Sequence, residues 1–296
     1  MMMAADGWYI FTGREDEIIP PGVTRVRIHE SVTVIPAHAF DGNIDIEELE
    51  CHDGVKSVKE SAFAGCTWLR IVIMRGVEVV EDDAFYNCEE LAIVECGKLE
   101  RIGYGAFDGC ALRSIDLPSA RIVEGWAFRE CTALMNVEFG KKLESIGREA
   151  FKFCTLERIT IPLKDGIITE NNTFQGCNDL EHVDLVEGAL HDTIAALLLE
   201  DWKNDMKDKL DAINQILPTT RAGDDFYDGG KAQAVRIWIR SVLRKIIQYK
   251  AQHQHLLNEA VTTLQHALPQ DVMVNNVLPF LELPSHIFEV GGHEEE

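Results

Sequence analysis

Apolar residues recur along the first part of the chain with a fixed period. An Ala-Phe pair, Thr-Phe in the last copy, appears seven times, and successive Phe residues are 23, 22, 22, 21, 23 and 23 positions apart. The seven residues are Phe40, Phe63, Phe85, Phe107, Phe128, Phe151 and Phe174. A period in this range is typical of stacked repeats, in which each unit buries its apolar face only against its neighbours.

Each repeat carries a second apolar string after its Phe, of the form Leu-x-x-Val/Ile-x-apolar. One copy consists of Leu156, Ile159 and Ile161. Alternation with a period of two predicts a short strand with one buried face, and Val26-x-Ile28 supplies a similar strand for an incomplete leading unit. A third apolar pair stands eight and five residues before most of the Phe residues, and it is lost in the last copy, as expected beside a cap.

The apolar period changes after Gly188 from the repeat spacing to three and four residues. This change predicts an amphipathic helix over about 190–217, ended by Pro218, and a second, longer helix over about 231–267. We expect the two helices to pair as an antiparallel hairpin that covers the open end of the repeat array or forms a second domain.

The repeat unit I-G-x-x-A-F-x-x-C-x-x-L-x-x-I-x-I-P, seen well in Ile146–Pro162, resembles the leucine-rich repeats of the BspA type. The resemblance implies parallel strands on one face and a turn of helix around each Ala-Phe on the other, with Phe as the core residue. It implies protein recognition rather than catalysis. The expected fold is α/β: a leucine-rich-repeat solenoid over 8–187, with about seven repeats of 21–23 residues, a helical C-terminal domain over 188–288 and an acidic tail over 289–296.

Charge narrows the possible partners. The formal net charge of the 296 residues is −22, which argues against nucleic-acid binding through the general surface because phosphate contacts need a basic footprint. We expect a basic or neutral protein partner, although acidity could equally serve solubility. No apolar run is long enough to span a bilayer and no secretory signal is evident at the start, so we expect no membrane association.

Eight cysteines are present, and six of them follow a repeat Phe by three residues. Equivalent Cys side chains of stacked repeats point the same way rather than at each other, so we predict buried free thiols and a cytoplasmic or nuclear location. Neither Cys nor His residues show zinc-ligand spacing, and no nucleophile, carboxylate pair or phosphate loop stands out. We therefore predict no metal, no cofactor, no catalytic residues and no enzymatic activity.

One side chain of each predicted strand lies between two buried positions and points outward. We call these positions the outward row: Arg27, Glu50, Ile73, Glu95, Asp116, Glu138, Thr160 and Asp184. Five of the eight are acidic, so we predict a protein-binding site formed by Glu50, Ile73, Glu95, Asp116, Glu138 and Asp184. The alternative is a solvated strip in an acidic protein. Ile71, Ile73 and Ile93 form an apolar spot beside the acids, which suits an anchoring contact or packing against an edge loop.

The long C-terminal helix is locally basic, with Arg236, Arg240 and Arg244 on one face. This face could be solvated, could dock on acidic surface of this chain or of another copy, or could bind an acidic partner. The segment 268–284 faintly resembles an F-box, although it is short and Pro279 would break its helix. A protein-binding scaffold is thus the predicted function; the alternatives are a ubiquitin-ligase adaptor and a structural subunit that assembles through the long helix.

Overall fold

The computed structural model describes residues 7–14, 17–186, 200–217 and 230–267. The chain forms two compact units, the first made of Met1–Val186 and Leu217–Arg236 and the second of Glu187–Ile216 and Ile237–Glu296. The F-box-like segment, the acidic tail and the first part of the predicted helix 190–217 lie outside the described residues. Within the described part of the chain, no helix is long and apolar enough to cross a membrane.

The first unit is a solenoid of parallel strands, as the Leu-x-x-Ile-x-Ile strings predict. One sheet has the order β1-β2-β4-β6-β8, with strands Tyr9–Phe11, Arg25–Ile28, Glu48–Glu50, Ile71–Ile73 and Ile93–Glu95. A second sheet has the order β10-β12-β14-β15, with strands Ser114–Leu117, Asn136–Phe139, Arg158–Ile161 and His182–Leu185. Within each sheet, neighbouring strands pair through equivalent residues of successive repeats, as Val137 does with Ile159.

A second strand column runs beside the first. In six repeats the second residue of the apolar pair, five positions before the Phe, ends a two-residue parallel strand, and these strands have the order β13-β11-β9-β7-β5-β3. Their bounds are Val34–Ile35, Ser57–Val58, Val79–Val80, Arg101–Ile102, Ile122–Val123 and Ser145–Ile146. In the last repeat, where the apolar pair is lost, only a single bridge between Ile146 and Ile168 remains.

The Ala-Phe segments form turns rather than the expected turn of helix. The residue before Ala has a left-handed backbone in most repeats, as in Gly105 (φ 60°) and Trp126 (φ 59°), and so has the residue two after Phe, as in Gly109 (φ 72°) and Phe153 (φ 62°). A left-handed residue on each side of the Phe reverses the helical sense, so the i to i+3 hydrogen bonds stay isolated.

These turns are joined to one another by a directed column of hydrogen bonds. In every repeat but the last, the backbone N–H of the Phe donates to the backbone carbonyl of the residue that precedes the next repeat's Phe. Phe63 thus donates to Ala84, and Phe85 to Ala106, both at 2.8 Å. Residues on either side repeat the pattern, so that all these N–H groups point toward the following repeat. The turn therefore takes the place of a third strand column.

The core of the solenoid is a ladder of stacked Phe rings and Cys thiols. From Phe40 to Phe151, neighbouring rings lie 4.7 to 5.4 Å apart and within 7° of parallel. All eight thiols are free and buried, as the sequence predicts. The six that follow a Phe do more than fill space, because each donates its S–H to the Phe carbonyl of the preceding repeat, as Cys131 does to Phe107 at 3.0 Å.

A buried lysine terminates the ladder. Lys231 is 3% exposed, and its ammonium donates to the carbonyl oxygens of Cys177, Asn178 and Leu180 at 2.8, 2.8 and 3.0 Å. In an internal repeat the carbonyl equivalent to that of Asn178 accepts a backbone N–H from the next repeat, as Thr67 does from Glu90. At the Asn178 carbonyl the ammonium thus replaces the backbone donor of a following repeat.

Replacing Lys231 by Met should lower the free energy of unfolding by about 3 kcal/mol, because the carbonyls lose charged donors while the aliphatic stem is kept. Urea denaturation measures the loss, and hydrogen exchange should show it first at the amides of the last repeat. The matched control is Lys207→Met on an exposed site, where a change below about 0.5 kcal/mol is expected. Equal urea midpoints for the two variants would refute the capping role.

The second unit contains the helices α1 (Glu200–Asp211), α2 (Ile213–Ile216) and most of α3 (Gly230–Ala267). The predicted helix over 190–217 is therefore interrupted at Ala212, whereas the long helix matches its predicted bounds. Trp238 donates its indole N–H to the Lys209 carbonyl at 2.9 Å, and the Tyr249 ring stacks on Trp202 at 5.0 Å. Because later residues of α3 meet earlier residues of α1, the two helices run antiparallel, as predicted.

Candidate functional site

The strand register places the outward row in order. Arg27 pairs with Glu50 and Glu50 with Ile73, and the row continues to Glu95. In the second sheet Asp116 pairs with Glu138, Glu138 with Thr160, and Thr160 with Asp184. All six predicted site residues therefore lie in one row of equivalent strand positions, divided between two sheets.

Arginines compensate three of the five acids in this row. Glu50 accepts from Arg27 at 2.8 Å, Glu95 accepts from Arg75 at 2.8 Å, and Asp184 pairs with Arg158. The described residues give Asp116 and Glu138 no ion-pair partner, and both side chains are exposed. The uncompensated negative charge of the row is therefore concentrated on these two neighbouring carboxylates.

The row is interrupted between Glu95 and Asp116. Strand β8 pairs with β6 and β10 pairs with β12, but the described residues form no ladder between β8 and β10. Repeat four shortens the link between Cys110 and Leu112 by one residue, compared with Cys88 to Leu91. The same shortening at Cys154–Leu156 leaves pairing intact, and there the Thr155 hydroxyl donates to the Thr132 carbonyl at 3.0 Å. Ala111, at the position of Thr155, has no side-chain donor to hold the neighbouring repeat.

The interruption opens a cleft of about 630 Å³. Its apolar lining includes Ile93, Val94, Ile115 and Pro118, and its charged rim is formed by Arg75, Glu95, Lys98 and Asp116. Val94 is half-buried, whereas the equivalent central strand residues are 2% exposed or less: Val26, Leu49, Val72, Ile115, Val137, Ile159 and Val183. The cleft thus exposes part of the repeat core beside the uncompensated carboxylates.

One residue of the predicted apolar spot, Ile93, lines this cleft. Ile93 is 51% exposed, and Ile71 and Ile73 are half-buried. Ile93 is therefore not packed beneath an edge loop, which was the alternative to an anchoring contact. Sequence reasoning missed the cleft itself, and the shortened link at Cys110–Leu112 was the one available signal.

The cleft contains a thiol, but not a reactive one. Cys96 lines the cleft and is 4% exposed. Burial, together with the nearby negative charge of Asp116, raises the pKa of the Cys96 thiol to about 12. A thiol with such a pKa stays protonated at neutral pH and is a poor nucleophile. Among the described residues, no group of three or more His, Cys, Asp and Glu side chains is placed to hold a metal ion.

Comparison with known families identifies the repeats. The model of the BspA type leucine-rich repeat region matches six copies, over residues 22–122 and 100–196. The chain belongs to the BspA-type leucine-rich repeat family. Solenoids of BspA-type repeats generally form binding scaffolds, because stacked repeats present an extended surface. In this BspA-type chain, that surface includes the outward row and the cleft.

Solved structures of other leucine-rich repeat proteins are similar to this BspA-type chain. One from Bacteroides ovatus is 25% identical, with 56% of this chain and 62% of that chain covered and a TM-score of 0.35. The T. pallidum leucine-rich repeat protein TpLRR is 21% identical, with 71% and 91% covered and a TM-score of 0.41. The pneumococcal vaccine antigen PcpA is 15% identical, with 60% and 66% covered and a TM-score of 0.35. This chain spans less than two thirds of the B. ovatus protein, and a search of curated proteins finds no match.

Proposed function

We propose that this chain is a non-enzymatic protein-binding scaffold that captures a partner on its outward row. The observation that carries the proposal is the position of the cleft, which exposes Ile93 beside Asp116, and Asp116 in turn pairs with Glu138 on the next strand. An aliphatic side chain of a partner would enter the cleft, and neighbouring Lys or Arg side chains would pair with the two carboxylates. In protein interfaces a few buried anchor residues supply most of the binding energy, and charge complementarity around them contributes mainly to specificity and the rate of association.

The polarity of the cleft favours a protein partner over a small metabolite. Its apolar side chains, among them Ile93 and Ile115, are surrounded by charged groups of both signs, which is the arrangement of an apolar anchor with a polar rim in a protein interface. Its rim continues directly into the carboxylates of the neighbouring repeats. An extended or helical segment that follows the row would contact both features at once, because the strand positions recur about every 4.8 Å.

Charge reversal in the row tests this proposal. A random peptide library displayed on phage and selected on the wild-type chain should yield sequences with an aliphatic residue near Lys or Arg. The double variant D116K/E138K should weaken binding of the selected peptides at least about tenfold, which corresponds to about 1.4 kcal/mol. Fluorescence anisotropy with the synthetic peptides measures the dissociation constant.

The control carries the same change in net charge at another place. Glu60 and Glu89 are exposed carboxylates outside the outward row, so E60K/E89K should bind the selected peptides as the wild type does. Cleft filling by Val94→Phe separates the apolar contribution, and it too should weaken binding. If the peptides bind all variants equally, the outward row is not the recognition surface.

A further inference from the structure

The exposed face of helix α3 carries a short stripe of two arginines flanked by two isoleucines. Ile237, Arg240, Arg244 and Ile247 follow one another at three, four and three residues, and all four are exposed. We call them the α3 stripe. The opposite face is buried against its own unit by residues such as Trp238, Val242 and Ile246. The two isoleucines remain 58% and 51% exposed. Contact of this apolar surface with water is unfavourable, and an interface would remove it.

The stripe is complementary in charge to the outward row. Two cations stand side by side at its centre, and the described residues give Arg244 no ion pair. The outward row has two adjacent carboxylates, Asp116 and Glu138, to which the described residues likewise give no ion-pair partner. On one side the carboxylates adjoin the apolar cleft at Ile93, and on the other side the row continues to Thr160. The order of residues in the α3 stripe, Ile-Arg-Arg-Ile, therefore matches the order of features along the outward row. These are the apolar cleft, the two carboxylates of Asp116 and Glu138, and then Thr160.

The spacings of the two surfaces also agree. A helix rises about 1.5 Å per residue, so the ten residues from Ile237 to Ile247 span about 15 Å. Paired parallel strands lie about 4.8 Å apart, so the two paired steps from Asp116 through Glu138 to Thr160 span about 10 Å. Arg240, Arg244 and Ile247 span about 10 Å along the helix, so these three residues fall opposite these three repeats, and Ile237 then falls on the side of the cleft. Because the order Ile-Arg-Arg-Ile is the same in both directions, the match holds for either orientation of the helix.

We propose that the outward row binds the α3 stripe of a second copy of this chain. One isoleucine enters the cleft beside Ile93, and the two arginines pair with Asp116 and Glu138. The inference rests on the proposed function, since it assigns a partner to the same surface. Each copy carries one stripe and one row, so two copies closing on each other, a ring and an open chain are all consistent with the contact.

Two complementary double variants test the contact. Variant R240E/R244E has an acidic stripe and an acidic row, and variant D116K/E138K has a basic stripe and a basic row. Each alone should associate at least about tenfold more weakly than the full-length wild type in analytical ultracentrifugation. An equimolar mixture should associate again, because each stripe then meets a row of opposite charge.

The control K164E/K207E reverses two exposed lysines outside the stripe and should associate as the wild type does. Circular dichroism of each variant establishes that it is folded before it is scored. A wild-type chain that stays monomeric at high concentration, or single variants that associate as the wild type does, would overturn the inference. If that occurs while the selected peptides still require Asp116 and Glu138, the proposed function stands and only the second copy is excluded as the partner.

Discussion

Raising the pH from about 8 to about 10 in the presence of a reductant should unfold the repeat array. Burial raises the pKa of the Cys51 and Cys96 thiols to about 12. Burial likewise raises the pKa of four thiols in the Phe–Cys ladder, namely Cys66, Cys110, Cys131 and Cys154. In the unfolded chain a thiol titrates at about 8.5. Above that pH the unfolded state loses protons that the folded state keeps, so the stability contributed by the protonated thiols is lost as the pH rises.

Each of these thiols should lower the free energy of unfolding by about 1.4 kcal/mol per pH unit above its unfolded pKa. Six such groups give a fall of about 8 kcal/mol per pH unit, which is comparable to the whole stability of a typical domain. Urea denaturation at several pH values measures the slope. The pH at which the array unfolds should lie well below the pKa of the buried thiols themselves.

Removing one thiol provides the control for this pH dependence. Cys131→Ala should be less stable at neutral pH by about 1 kcal/mol, because the S–H bond to the Phe107 carbonyl is lost. The free energy of unfolding of this variant should also fall less steeply with pH, by about 1.4 kcal/mol per pH unit, because one thiol fewer titrates. A wild-type stability that does not change between about pH 8 and 10 would show that the thiols titrate while the chain is folded, contrary to their burial.

Replacing Phe107 by Ala should remove about 3–5 kcal/mol of stability, the largest effect we expect of a single core substitution. Phe107 is fully buried at the middle of the ring ladder, 5.2 Å from Phe85 and 5.4 Å from Phe128. The substitution leaves a cavity and removes two ring contacts at once. Because each repeat is stabilised by its neighbours, the loss should also weaken the coupling between the two halves of the array.

Equilibrium urea denaturation, followed by hydrogen exchange of the repeats on each side, measures both effects. Tyr86→Ala is the matched control, since Tyr86 is 37% exposed and lies outside the ladder, and it should cost less than about 1 kcal/mol. A Phe107→Ala variant no less stable than Tyr86→Ala would mean that the ladder contributes little to stability.

The strand face was predictable because its signal is local. Alternation such as Ile159-x-Ile161 specifies which side chains are buried, and a constant period then brings equivalent residues of successive repeats together. The order of the outward row from Glu50 to Asp184 follows from these two facts alone. The long helix was equally predictable, because its apolar spacing continues without a break.

The turn column and the cleft were not predictable, for different reasons. The left-handed positions are occupied by Gly105 in one repeat and by Trp126 in the next, so composition gives no consistent turn signal. The shortened link occurs twice, and only at Ala111 does it accompany an interrupted sheet. The Arg75–Glu95 ion pair depends on side-chain reach across repeats, which sequence spacing alone does not define.

The lysine at the end of the ladder has a consequence for how such a chain can change in evolution. The ammonium of Lys231 binds backbone carbonyls of the last repeat, so its contacts do not depend on the number of repeats before that one. Duplication of an internal repeat would lengthen the array in register and leave both of its ends chemically unchanged. A change in the number of repeats would therefore alter the length of the strand face in whole modules, while the contacts that end the array stay the same.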